Sequence, residues 1–148
     1  MEPDDLDRFT WYMREQSAIT VMFHAKVAAQ MGLSATDEKC LDLAMRADGP
    51  VTAGKIAELS GLSTGAVTGV IDRLERAGYV RRVRDPHDRR KVLVEVTVGD
   101  VDEFGEIFEV ARQAMIEVLE QFDERELEVI ERYLKLQTTT FRKRMIDT

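Results

Sequence analysis

The chain has 148 residues, 44% hydrophobic and 33% charged, with a formal net charge of −7, which describes one soluble folded domain and excludes a disordered polymer. No apolar run approaches the ~20 residues needed to cross a bilayer, and the acidic start MEPDDLDRF lacks the basic head and apolar core of a signal peptide, so a cytoplasmic protein with no membrane partner is expected. The lone Cys40 excludes an intramolecular disulfide, and with only two histidines in the chain no metal or cofactor site is expected.

Residues 4–31 read as one long helix, with Leu6, Phe9, Met13, Thr20, Phe23, Val27 and Met31 near the three-and-four spacing of a helix face. Trp11, Ile19 and Met22 lie off that stripe, so the helix is either deeply buried or shared with a partner chain. Gly32 ends it. Ser34 opens a second helix with Asp37 in a capping-box-like position, and Leu41, Leu43, Ala44 and Met45 give it an apolar side. Asp48-Gly49-Pro50 stops it. Thr52 caps a short third helix through Ile56, Ala57 and Leu59; Ser60-Gly61 turns the chain, and Ser63 caps a fourth helix. Two short helices about a tight glycine turn form a helix-turn-helix.

In the fourth helix Val67, Val70, Ile71 and Leu74 form the buried stripe. The opposite face carries Thr64, Gly65, Thr68, Gly69, Asp72 and Arg76, with Arg73 at its edge, and Gly78 closes the helix. Tyr79 to Arg84 and Lys91 to Thr97 then alternate as strands, with Val92, Val94 and Val96 on one side. Asp85-Pro86-His87-Asp88 supplies the turn between them, making a two-stranded wing. Residues 100–122 form a long amphipathic helix through Val101, Phe104, Phe108, Ala111, Met115, Val118 and Phe122. Asp123 and Glu126 start the last helix, whose apolar side is Leu127, Ile130, Leu134 and Phe141. The terminal helices carry more apolar face than one small wing domain covers, and a homodimer built from both is the economical answer. The expected fold is mainly α: a single domain over 1–148, with a winged helix-turn-helix at 34–98 flanked by dimerisation helices at 1–33 and 99–148.

The acidic total hides an uneven distribution. Between Arg73 and Lys91 eight basic residues face three acidic ones, a net +5, whereas from Gly99 onward thirteen acidic residues face seven basic ones, a net −6. The field at a groove follows local charge, so the basic segment points to double-stranded DNA. Ser63, Thr64, Gly65, Thr68, Gly69, Asp72 and Arg73 form a face slim enough to approach base edges in a major groove. Its two glycines cost roughly 1 kcal/mol each in helix stability; the alternative is that they let another helix cross closely. Arg89 and Arg90 at the hairpin tip suit a narrow minor groove, and Asp88 beside them suits holding an arginine in place. Arg81, Arg82, Arg84 and Lys91 suit backbone phosphates, which position without reading sequence. Polar readers are sparse, so a large contribution from DNA shape is expected.

The run from Leu62 through Thr97 resembles the MarR family of bacterial winged-helix regulators. The likeness is strongest in Asp85-Pro86 with Asp88-Arg89-Arg90 and Val96-Thr97, after Asp72-Arg73-Leu74-Glu75 and Gly78. The helix order on both sides matches as well. The resemblance implies a homodimeric transcriptional regulator, commonly a repressor, on a pseudo-palindromic operator. Its recognition helices would enter successive major grooves and its wing arginines the flanking minor grooves. It also implies release by a small aromatic or anionic effector, for which Trp11, Arg14 and His24 on the first helix are candidates. Some family members sense oxidants through a cysteine of the first helix; Cys40 lies in the second and reads as a buried inert thiol. The segment after the wing, Val96 to Asp100, matches the family's pattern only in part. A winged-helix module that binds protein instead of DNA is the alternative from another class. With no phosphate-binding glycine loop and no nucleophile–histidine pairing, no enzyme is expected.

Overall fold

The computed structural model describes residues 2–97 and 102–147; for Pro3 and residues 102–107 it describes the backbone alone. The expected helix start at Asp100 and Val101, the Val98-Gly99 link and the Phe104 side chain lie outside the described residues. The chain forms two compact units, 1–99 and 100–148.

The first unit runs α1 (Pro3–Gln30), α2 (Ala35–Met45), β1 (Val51–Thr52), α3 (Ala53–Ser60), α4 (Thr64–Arg76), β2 (Val80–Arg84) and β3 (Val92–Val96). Each short helix begins where a hydroxyl can satisfy an orphan backbone donor. Ser34 accepts from the Asp37 N–H, Thr52 from Lys55 and Ser63 from Ala66, at 3.1, 3.1 and 3.2 Å. The Asp37 carboxylate does not close a capping box: it reaches across to α4. Gly61 ends α3 at φ 73° and Gly78 follows α4 at φ 84°, left-handed positions that a side chain would strain.

The wing is joined by a third strand that the sequence reading did not include. β1 pairs antiparallel with β3 (Val51 opposite Val94), and β3 with β2 (Val80 opposite Val96), giving the order β1-β3-β2. Two residues beside a proline carry too little pattern to be read as a strand. One core closes around the sheet and three helices. It contains Cys40, Leu41 and Ala44 of α2, Ile56 and Ala57 of α3, Val67, Val70, Ile71 and Leu74 of α4, and Val80 and Val94 of the strands. The α4 stripe is the one expected. Val92, expected with Val94 and Val96, is 51% exposed because it lies out along the wing, and Met45 is exposed at the end of α2. Of α1, Val27 and Ala28 are buried, and the Tyr79 hydroxyl donates to the Met31 carbonyl at 2.9 Å.

The second unit is a helix pair, α5 (Asp102–Leu119) and α6 (Glu124–Met145). Asp123 caps α6 through the Arg125 and Glu126 N–H groups, and Glu126 accepts from the Asp123 N–H in return, the expected capping box. No α6 residue is buried within the chain.

Candidate nucleic-acid interface

α4 is anchored by its apolar stripe and turns the opposite face outward. A Cβ built on Gly65 would meet nothing within 4 Å, and one on Gly69 only the Arg73 Nη1 at 3.5 Å. No other helix crosses these glycines among the described residues, so the slim face is open.

The polar groups of that face are largely engaged within the chain. Ser63 is the cap. The Thr68 hydroxyl donates to the Thr64 carbonyl one turn back at 2.9 Å. Arg73 grips Asp37 of α2 through Nε at 2.9 Å and Nη2 at 2.7 Å. The Asp37 side chain is 5% exposed and that of Arg73 52%; the arginine lowers the Asp37 pKa, burial opposes it, and the Ser34 bond assists. Asp72 and Glu75 both bond the Arg82 guanidinium, and Glu75 also accepts the Arg82 N–H at 2.9 Å. These carboxylates raise the Arg82 pKa, Asp72 most.

The same partition runs through the wing. Arg81 faces Glu95 across the strands and bonds it at 2.5 Å. Asp85 organises the tip, accepting from the His87 and Asp88 N–H groups at 2.7 and 3.3 Å, which lowers its pKa. Asp88 accepts from the Arg90 backbone at 3.1 Å and from its Nε at 3.3 Å, yet the Arg90 side chain remains 91% exposed. Arg84, Arg89 and Lys91 are exposed and form no ion pair among the described residues. The wing thus has arginines fixed at its root and outward-facing cations at its tip.

The effector candidates do not converge within one chain. Trp11 is 57% exposed and stands edge-on to Tyr12 at 4.9 Å, and Arg14 is exposed on the same stretch. His24 lies about 20 Å along the helix from Trp11 at 1.5 Å per residue and bonds the buried Glu38 of α2 at 3.0 Å. Burial raises the Cys40 thiol pKa, with Asp37 adding to the effect, which leaves little thiolate. The sequence reading missed Asp37 and Glu38 as partners of α4 and α1. The available signal was two carboxylates three residues before Cys40 and Leu41, on the stripe that becomes core, where a charge needs a partner.

Residues 33–92 match the MarR family model. The uncharacterized HTH-type transcriptional regulator YcgE of Bacillus subtilis (strain 168) is 39% identical over 117 residues, 79% of this chain and 75% of that one. The chain belongs to the MarR family. Among solved structures, a MarR family protein from Bacillus stearothermophilus superposes with a TM-score of 0.70 at 23% identity, over 95% of this chain and 98% of that one. The transcriptional regulator BldR from Sulfolobus solfataricus gives 0.61 at 27% identity, over 94% and 99%. As a MarR family member the chain is a DNA-binding transcriptional regulator, and α3, α4 and the wing are its winged helix-turn-helix.

Proposed function

We propose that this MarR family regulator binds a pseudo-palindromic operator as a cytoplasmic homodimer, acts there as a repressor, and leaves when a small aromatic or anionic effector binds. The observation that carries the operator reading is the pairing of an open, glycine-relieved α4 face with an Asp88-braced, outward Arg90. Together they suit entry into a major groove and the negative potential of an adjacent minor groove. Thr64, Gly65, Thr68 and Gly69 approach the bases, Arg89 and Arg90 enter the minor groove, and Arg84 and Lys91 meet phosphates. Dimerisation through 1–33 and 99–148 is supported by apolar side chains left exposed on α1 and α6. Repression and release by an effector are supported by the family resemblance. Of the effector candidates, Trp11 and Arg14 are open on α1, whereas His24 is engaged by Glu38.

The test is titration of wild type and Arg90→Ala against the DNA flanking its coding region. Wild-type affinity should fall steeply with salt as counterions are released, and Arg90→Ala should weaken binding and flatten that slope by about one. Unchanged binding by Arg90→Ala would overturn the wing assignment and favour a protein-binding module.

A further inference from the structure

We propose that Thr68 selects sequence through its methyl group, against the 5-methyl of a thymine, and not through its hydroxyl. This rests on the operator reading above and adds to it the base class that α4 prefers.

A hydroxyl that reads a base edge as a donor must have its proton free. The Thr68 proton is directed at the Thr64 carbonyl, 2.9 Å away on the preceding turn, a bond that side chains of this type commonly make inside helices. The neighbouring polar groups are engaged too: Ser63 by the Ala66 N–H, Asp72 by Arg82 and Arg73 by Asp37. Thr68 nevertheless lies on the exposed face, between two glycines that place no side chain beside it. With its hydroxyl proton held by the preceding turn, Thr68 has its methyl group, and only the lone pairs of its oxygen, left to offer on that slim front. In the major groove one base identifies itself by an apolar group, thymine through its C5 methyl. Asp72 and Arg73, the longer polar side chains nearest Thr68, are bonded to the wing and to α2, with the Arg73 Nη1 near Gly69.

The experiment begins with duplexes selected by the full-length chain from a randomised pool. One selected duplex is resynthesised with deoxyuridine replacing each half-site thymine in turn, which removes the 5-methyl and keeps the base pair. One thymine per half-site should respond, with wild-type affinity falling about fourfold on its replacement, the worth of one buried methyl-sized group. Thr68→Val, which keeps the methyl and loses the hydroxyl, should bind within about twofold of wild type and retain that penalty. Thr68→Ser, which keeps the hydroxyl and loses the methyl, should bind the thymine duplex about fourfold more weakly and be indifferent to deoxyuridine. Weak binding by a Thr68→Val that melts with wild type, with normal binding by Thr68→Ser, would assign the reading to the hydroxyl and overturn the inference. Selected duplexes in which no thymine methyl matters would overturn it alone, without any variant being made. A pool that yields no duplex would instead overturn the operator reading on which it rests.

Discussion

Asp37 is 4% exposed and still ionised, because the half-exposed Arg73 guanidinium closes two bonds on its carboxylate. That contact ties α4 to α2 at the level of one residue. Its sign with pH follows from the lowered Asp37 pKa: the stabilisation is present above the ordinary value of 3.8 and is lost as pH falls through the lowered one. Asp37→Asn should therefore cost about 1–2 kcal/mol at neutral pH, a charge-assisted bond discounted for the solvent around Arg73. The gap from wild type should shrink below pH 4, as urea midpoints at neutral and acid pH will show; a constant gap would mean that the charge contributes nothing. Cys40 makes a second prediction at this scale. It is 1% exposed and its thiol pKa is raised by burial, so the folded chain should resist a thiol-reactive dye at neutral pH and react fully in denaturant. Rapid labelling of the native protein would revive an oxidant-sensing role.

At the scale of elements, the wing is held to α4 by Arg82, which meets Asp72 and Glu75 one turn apart on the helix. As a clamp, a cation so engaged would set the angle between helix and wing, the two elements proposed to meet DNA. Replacing both acids, Asp72→Asn with Glu75→Gln, removes negative charge near the DNA and frees Arg82. If Arg82 is a clamp, affinity for every duplex should nevertheless fall several-fold, with melting little changed; a rise in affinity would mean that Arg82 is a phosphate ligand. The helices, the hydroxyl caps at Ser34, Thr52 and Ser63, the Asp123–Glu126 capping box and the buried α4 stripe were legible in the sequence because each depends on side chains within one turn. Val67, Val70, Ile71 and Leu74 declare a face, and Ser63 declares a start. The pairing of Arg73 with Asp37, 36 residues apart, was not legible, since in sequence both look like solvated charges on helix surfaces. The strand Val51–Thr52 was hidden for the same reason: it exists through its register with β3. The positions of the candidate interface could be named from sequence, but not which of its polar groups the fold had already engaged.

At the scale of the whole molecule, α1 exposes Ile19, Val21 and Met22 at 65%, 65% and 70%, and α6 exposes Val129, Leu136 and Met145 at 55%, 63% and 66%. Apolar surface of this extent calls for a partner, and in the proposed dimer a second copy would supply matching faces. Such pairing would also set the affinity. In the proposed dimer, two joined reading heads would bind neighbouring half-sites, centred one helical turn or about 10 base pairs apart, at the effective concentration fixed by the dimer, which would multiply the affinity of either head alone. Ile19→Glu with Met22→Glu places two charges on the exposed α1 face and touches neither the core nor the wing. The doubly substituted chain should keep wild-type helicity and sediment as a monomer. Its affinity for a two-half-site duplex should fall to that for a single half-site, at least tenfold, with the salt slope roughly halved as one head's phosphate contacts are lost. A variant that stays dimeric would move the interface off α1, and a wild type that sediments as a monomer would overturn the dimer and leave these side chains to another partner.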